Sequence, residues 1–264
     1  VSKPEETESF RRSADEAAYL GHPSYVWRAG QERRLSLVRR WAELAGARIL
    51  DAGCGVGMYT SQFARFSPRV TGVEIDINVA EKARQQGSSV VVAPAEALPF
   101  ASASFDVVFS HEVIEHVGDD RRTAAEMARI TAPGGRIVLF CPNRLYPFET
   151  HGHYWRGRYH FGNTPLLNYL PDPLRNRLAP HVRAYTTAGL KELFRGLDLR
   201  VVHHSIVYPG FDNVAARNPT AGRVLRRLLY TAEHSPLQAF GLSHFLVLER
   251  VGKSQPTTTS APNA

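Results

Sequence analysis

Two groupings of side chains in this sequence are spaced for chemistry. The first lies in "LDAGCGVGMYT" (50–60), where Asp51 is followed by Gly53, Gly55 and Gly57 at alternate positions. A dinucleotide-binding turn needs G-x-G-x-x-G, its third glycine letting a helix pack close to the strand. Counted from Gly53, that glycine falls at Met58, so the dinucleotide fingerprint is broken. No G-K-[ST] follows, which excludes a phosphate-binding P-loop. Alternate glycines instead let a backbone turn pass close to a ligand that carries no pyrophosphate. Asp51 offers a carboxylate to a cationic group nearby. Glu74, followed by Ile75, ends the next apolar stretch, where a carboxylate can accept hydrogen bonds from both hydroxyls of a ribose.

The second grouping is "SHEVIEHV" (110–117). A helix beginning at 112 puts Glu112, Glu115 and His116 at i, i+3 and i+4, on one face. His116, with an ordinary pKa of about 6.5, suits general-base work on a hydroxyl acceptor. Two carboxylates and imidazoles also suit Mg²⁺, Mn²⁺ or Zn²⁺, with His151, His153, His160 or His181 as further ligands. A hydrogen-bonded Glu115–His116 pair with no chemical role is the third reading, and acid–base work without metal is preferred over both.

The elements that must position these residues are visible in the alternation of short apolar runs with helical stretches. "RILDA" (48–52), "RVTGVE" (69–74), "SVVVA" (89–93), "FDVVFS" (105–110) and "GRIVLFC" (135–141) read as buried strands, with helices at 78–86 and 120–130 between them. Such a pattern predicts a parallel sheet covered on both faces. Pro133-Gly134-Gly135 predicts a turn into the fifth strand. Residues 143–183, rich in Pro, Tyr, His and Arg, break the pattern and read as an insertion. Tyr146, Phe148, Tyr154, Trp155, Tyr159 and Phe161 can build an aromatic lid there, with His151 and His153 as proton-handling groups. A helix and strand follow, then a second insertion over 208–240 carrying the basic amphipathic stretch "AGRVLRRLLY", and "LSHFLVLER" (242–250) closes the domain. The expected organisation is N-terminal helices over 1–45, one domain over 46–250, and a disordered tail over 251–264, with roughly the first nine residues also disordered.

A site for an amino-acid ammonium, a close-packed turn and a ribose diol together describe S-adenosylmethionine (SAM). At these residues the sequence resembles the class I SAM-dependent methyltransferases, of the type 11 and ubiquinone-pathway O-methyltransferase kind, over roughly 45–205 and 242–250. "ILDAGCGVGMYT" and "VTGVEIDINVAEKAR" are similar to the family's first two motifs. "APAEALPFASASFDVVFSHEVIEHV" resembles its adenine loop and fourth strand, and "ITAPGGRIVLFCPN" its fifth. The resemblance implies a Rossmann-like, seven-stranded, mostly parallel α/β sheet with helices on both faces and insertions after strands 5 and 6. It also places His111 and Glu112 nearest the methionine part of SAM. Many relatives have Gly-Asp-Ala-Glu where this chain has Ala93-Pro94-Ala95-Glu96, so the Ala95 amide and the Glu96 carboxylate become the expected adenine contacts. The E-x-x-E-H motif is similar to one that ubiquinone-pathway O-methyltransferases and small-RNA 2′-O-methyltransferases associate with a divalent metal.

Composition bounds the rest. The 264 residues carry a net charge of +7 with 43% hydrophobic residues, and no apolar run reaches the roughly 18–20 residues that span a bilayer. The polar start "VSKPEETESF" shows no signal peptide, and two cysteines, Cys54 and Cys141, fit a reducing cytoplasm. The basic residues are scattered, which makes nucleic acid an unfavoured partner. The expected function is transfer of a methyl group from SAM to a small, partly apolar acceptor, at a hydroxyl or carboxyl oxygen. His116, Glu115 and His153 are the expected catalytic residues, and a divalent metal is not favoured. Two alternatives stay open: an RNA 2′-O-methyltransferase, or a non-catalytic SAM-binding protein that docks 221–230 on a membrane surface.

Overall fold

Strands that are apolar on both faces need helices above and below them, and the central strands here are of that kind. The computed structural model describes residues 27–252. The expected helices and disorder before residue 27 and the tail beyond 252 lie outside the described residues. In chain order the first half runs α1 (Ala29–Trp41), β1 (Ile49–Ala52), α2 (Met58–Phe63), β2 (Val70–Glu74), α3 (Ile77–Gln85), β3 (Val90–Val92), β4 (Phe105–His111), α4 (Asp120–Ile130) and β5 (Thr131–Pro142). Four short strands follow in the first insertion, β6 (Phe148–Glu149), β7 (His153–Trp155), β8 (Arg158–His160) and β9 (Thr164–Pro165). Then come α5 (Asp172–Leu178), α6 (Thr187–Leu193), β10 (Leu199–Val207), α7 (Asp212–Arg217), α8 (Pro219–Ala232) and β11 (Ser243–Arg250).

Seven strands form one sheet in the order β3-β2-β1-β4-β5-β11-β10. β1, β2, β3, β4 and β5 are parallel, while β11 runs antiparallel to both β5 and β10. All four residues of β1 are buried, as both-face coverage requires. One core layer joins Leu50, Val108, Met127, Ile137 and Leu246 under α4 and α6; the other joins Leu35, Val38, Phe63, Phe109 and Phe245 under α1 and α2. The Asp76 carboxylate accepts the Asn78 and Val79 amides at the start of α3, and Asp119 accepts the Arg122 amide at the start of α4.

Two local expectations are corrected. The fifth strand starts at Thr131, and Pro133-Gly134-Gly135 is an excursion within it: the register jumps from Phe105↔Thr131 to Val107↔Arg136. Residues 112–116 form a turn closed by the His116 amide on the Val113 carbonyl, not a helix. The helix waits for its cap at Asp119. The second insertion folds as α7 and α8, tied to α1 by the Arg33–Glu233 ion pair and by Arg33 lying 3.9 Å over the Tyr230 ring. Among the described residues no helix is long and apolar enough to cross a membrane.

Candidate active site

The carboxyl ends of β1, β2 and β4 open onto a cavity of about 390 Å³, lined by Gly53, Gly55, Glu74, Ile75, Ala95, Glu96, Glu112 and His116 among others. This is where open α/β sheets bind ligands, and its volume suits a small cofactor. The three glycines reach it for different reasons, all in left-handed backbone at φ +79°, +55° and +83°. A Cβ on Gly53 would lie 2.2 Å from Val113, and one on Gly57 2.7 Å from Ser88 Oγ, whereas Gly55 has nothing within 4 Å. Gly53 and Gly57 therefore serve internal packing, and Gly55 is the glycine that leaves room for a ligand.

Glu74 is held rigidly at the end of β2. Its Oε1 accepts the Ile75 amide at 2.9 Å and the Asp76 amide at 3.0 Å, and its Oε2 accepts the Gly55 amide at 3.0 Å. Asp51 is 2% exposed and accepts a 2.7 Å bond from Thr60 Oγ1. Burial, then the nearby Glu74 charge, push its carboxyl up to about 7 against the opposing Thr60 bonds. Glu96 Oε1 accepts the Gly118 amide at 2.8 Å, so this carboxylate ties down the loop before α4 as well as lining the cavity.

His111 ends β4 with its ring against Tyr59, Phe109 and Phe140, and its Nε2 is buried with no hydrogen-bond partner among the described residues. Burial and the Arg34 charge push its imidazole down to about 4. The chain then turns sharply: Glu112 has φ +55°, an uncommon conformation for a residue with a Cβ. That turn, rather than a helical face, brings the E-x-x-E-H side chains together. Ser243 Oγ donates to Glu112 Oε1 at 3.0 Å, and Glu112 Oε2 lies 3.9 Å from His151 Nε2. Glu115 is 1% exposed, and its carboxyl lies against that of Glu112. Burial and the Glu112 charge beside it hold its carboxyl well above the usual range.

Two imidazoles face this pair. His116 Nδ1 donates to the His181 carbonyl at 3.1 Å, which leaves Nε2 as the lone-pair nitrogen, 4.0 Å from Glu115 Oε1. His151 Nδ1 donates to Glu149 Oε1 at 3.0 Å, which again leaves Nε2 free to accept a proton. Glu149 is itself clamped at 2.7 Å by Arg175, a fully buried guanidinium. Burial pulls the His151 imidazole down, but the Glu149 bond and the Glu112 and Glu149 charges outweigh it and the net shift is upward. The two rings lie 5.1 Å apart, edge to face.

Glu115, His116 and His151 each offer a ligand atom, all within 4.8 Å of one another. The Glu115 carboxyl, once ionised, and two imidazoles oriented through their other nitrogens fit a divalent cation. A cation held by these three residues would polarise an acceptor oxygen.

The structure places other expected residues elsewhere. His153 bonds Thr164 Oγ1 through Nδ1 at 2.8 Å and stacks on His160 at 5.3 Å, in the β7–β8 ribbon rather than beside Glu115. His151, two residues earlier, is the insertion's contribution. Tyr154, Trp155 and Tyr159 are 40%, 55% and 47% exposed, and none of them lines the cavity. The helix α1 falls within the expected N-terminal helices, but sequence reading assigns none of its residues to the site. Gln31 lines a second opening together with Asp51, Gly53, Tyr59 and His111. Arg34 lies close enough to act on the charges of His111 and Glu112, and its Nε is buried without a partner among the described residues. No local motif announces Arg34; only the packing of α1 over β1 and β4 does.

Comparison with known proteins agrees with this geometry. A family model described as a methyltransferase domain matches residues 50–139. An uncharacterized methyltransferase of Mycobacterium sp. (strain JLS) is 43% identical over 108 residues, which cover 40% of this chain and 43% of that protein. The ubiquinone biosynthesis O-methyltransferase of Aromatoleum aromaticum is 36% identical over 120 residues, 43% of this chain and 51% of that one. The chain thus spans about half the length of the curated relatives it matches. The crystal structure of a SAM-dependent methyltransferase from Mesorhizobium loti superposes with a TM-score of 0.59 at 18% identity, covering 82% of this chain and 96% of that one, which shows a shared fold. From the glycine turn to the fifth strand, residues 50–139, this chain matches the methyltransferase-domain family, and its sheet has the fold of a SAM-dependent methyltransferase.

Proposed function

We propose that the protein is an enzyme that binds SAM in the cavity above β1, β2 and β4 and transfers its methyl group to an oxygen of a small, partly apolar acceptor. The observation that carries this reading is the Glu112–Glu115–His116–His151 group at the edge of that cavity, which Glu112 and His116 line, with the Nε2 of each imidazole left as the lone-pair nitrogen. Glu74 would accept from the ribose, Ala95 would lie against the adenine, and the open side of Gly55 would admit the ligand backbone. Asp51 would face the ammonium end, and Arg34, with its orphaned Nε, the carboxylate end.

The acceptor hydroxyl or carboxyl would sit over His116 and His151. In the displacement the acceptor oxygen forms a bond to the methyl carbon as the carbon–sulfur bond breaks, and SAM leaves as S-adenosylhomocysteine (SAH). A hydroxyl acceptor must also lose a proton. His151 is the better base of the two, because Glu149 fixes its ring and stabilises the imidazolium that forms. His116, the base expected from sequence, would then hold the same hydroxyl, with Glu115 behind it. Relatives named as ubiquinone biosynthesis O-methyltransferases support an oxygen acceptor.

The test is methyl transfer from SAM carrying a labelled methyl to a panel of small apolar alcohols, phenols and carboxylic acids. Labelled product that disappears in His151→Ala, while SAH binding survives, is the expected result. Absence of SAH binding by the wild-type chain would overturn the reading at its base.

A further inference from the structure

We propose that the β7–β8 ribbon is an interfacial anchor that seats the protein on an anionic lipid surface. The ribbon pairs His153 with His160, Tyr154 with Tyr159 and Trp155 with Arg158. Alternation puts Tyr154 and Tyr159 on one face, where both rings meet the edge of His181 at 5.7 and 5.6 Å. That face roots the ribbon on the protein. Trp155 and Arg158 fall on the other face, and Arg156 and Gly157 form the tip, all exposed.

Around the ribbon the surface is apolar and cationic together. Leu174, which shares a groove with the ribbon, is 47% exposed, and Leu166 of the same insertion is 60% exposed. Between residues 143 and 183 the acids are Glu149 and Asp172, and both are already paired, with Arg175 and Arg144. Arg156, Arg158 and Arg177 have no acidic partner among the described residues. A groove of about 640 Å³ between the ribbon and α5 is lined by Trp155, Arg156, Leu174, Arg177 and Leu178. Tryptophan and tyrosine settle at the headgroup level of bilayers, and arginines beside them are drawn to anionic lipid. Charge complementarity thus selects a negatively charged partner, and the exposed leucines, which can neither stack on bases nor pair with phosphates, select lipid over nucleic acid.

The anchor is tied to the candidate base. Tyr159 Oη donates to the His151 carbonyl at 2.5 Å and His181 Nε2 donates to the same oxygen at 3.1 Å. A Cβ on Gly152 would lie 2.4 Å from the His160 carbonyl, so the ribbon leaves His151 through a turn with no slack. An apolar acceptor dissolved in a bilayer would enter beside His151.

The experiment is co-sedimentation of the full chain with vesicles of phosphatidylglycerol and phosphatidylcholine, and with phosphatidylcholine alone. Binding to the anionic vesicles only is expected, with a loss of about tenfold or more in both Trp155→Ser and the pair Arg156→Glu, Arg158→Glu. Thermal melting and SAH affinity of the variants report folding separately, so lipid binding and the methyl-transfer reading can fail independently. Trp155→Phe keeps an apolar ring and should keep binding while abolishing the blue shift in emission that vesicles induce in the wild type. That pair of results stands even if the harsher variants fail to fold. No binding to anionic vesicles overturns the proposal. So does binding that survives the ribbon variants but is lost in Arg223→Glu, Arg227→Glu on α8, or retention of single-stranded RNA through the ribbon in place of vesicles.

Discussion

Replacing Glu74 by alanine gives the sharpest test of how SAM is held, because the structure limits what that carboxylate can still do. A carboxylate has about four lone-pair sites. Three are taken by the amides of Gly55, Ile75 and Asp76, which leaves room for about one further bond on Oε2. The expectation that Glu74 accepts from both ribose hydroxyls is therefore too generous unless an amide is displaced. One hydrogen bond to a charged acceptor contributes about 1.5–3 kcal/mol, so Glu74→Ala should weaken SAH binding by about 10- to 150-fold. The alanine also releases the Gly55 amide, and Glu74→Gln separates the two effects. Glutamine keeps an acceptor oxygen for the backbone but loses the charge, and its affinity should lie between the other two. Titration calorimetry with SAH measures the binding, and thermal melting without ligand reports damage to the loop. An affinity in Glu74→Ala within about twofold of wild type, with the melt unchanged, refutes the assignment of Glu74 to the ribose.

Three further outcomes follow from the same geometry. Arg34→Met keeps the packing length over Phe140 but removes the guanidinium whose Nε is orphaned, and it should weaken SAH by calorimetry while leaving the fold intact; unchanged affinity removes Arg34 from the carboxylate site. His151→Ala should lower turnover by about 10²–10⁴ with SAH affinity near wild type, and turnover in excess EDTA should persist, since loss with rescue by Mg²⁺ or Mn²⁺ would make His151 a ligand rather than a base. Acid should destabilise the fold through the pair in which His204 Nε2 donates to His244 Nδ1 at 3.0 Å while His244 Nε2 donates to the Tyr185 carbonyl. Burial, then the neighbouring His244, push His204 down to about 4. The unfolded chain therefore binds the proton first, and stability is complete above about pH 6.5 and lost as pH falls toward 4. Melting temperatures that stay flat from pH 7 to pH 5, or that fall equally in His204→Gln, would contradict this.

The SAM-facing half was legible because its logic is local. Gly55 and Glu74 are 19 residues apart and meet through one strand–helix–strand unit, whose apolar runs and caps are written in the chain order. The helix expected over 120–130 is found at Asp120–Ile130 because Asp119 caps it and Ala124, Met127 and Ala128 repeat on one face. The helix expected from 112 fails for a physical reason that the i, i+3, i+4 spacing does not contain. The Glu112 amide still bonds the Phe140 carbonyl, so the sheet extends through the first residue of the supposed helix. The left-handed backbone at Glu112 then ends it, and the same three side chains converge by a turn.

Around Glu112 and the histidines the side chains were legible as types, but the bonds that fix them were not, because these are long in sequence and join residues that composition would put on the surface. Ser243 meets Glu112 across 131 residues and His116 meets His181 across 65. Arg175 lies in a stretch whose charge reads as solvated, yet it is 1% exposed. Its guanidinium is buried against Glu149 and the Val182 carbonyl. A charge in that position is tolerable only when paired, and removing one partner of such a pair typically costs about 3–5 kcal/mol. That penalty explains how an insertion of short strands can position an imidazole. Glu149 cannot leave Arg175 without stranding a buried charge. Its Oε1, held in place by that constraint, fixes the tautomer and direction of the His151 ring. The imidazole thus inherits its position from an ion pair that contributes little net stability of its own but is costly to break, a device that no run of neighbouring residues encodes.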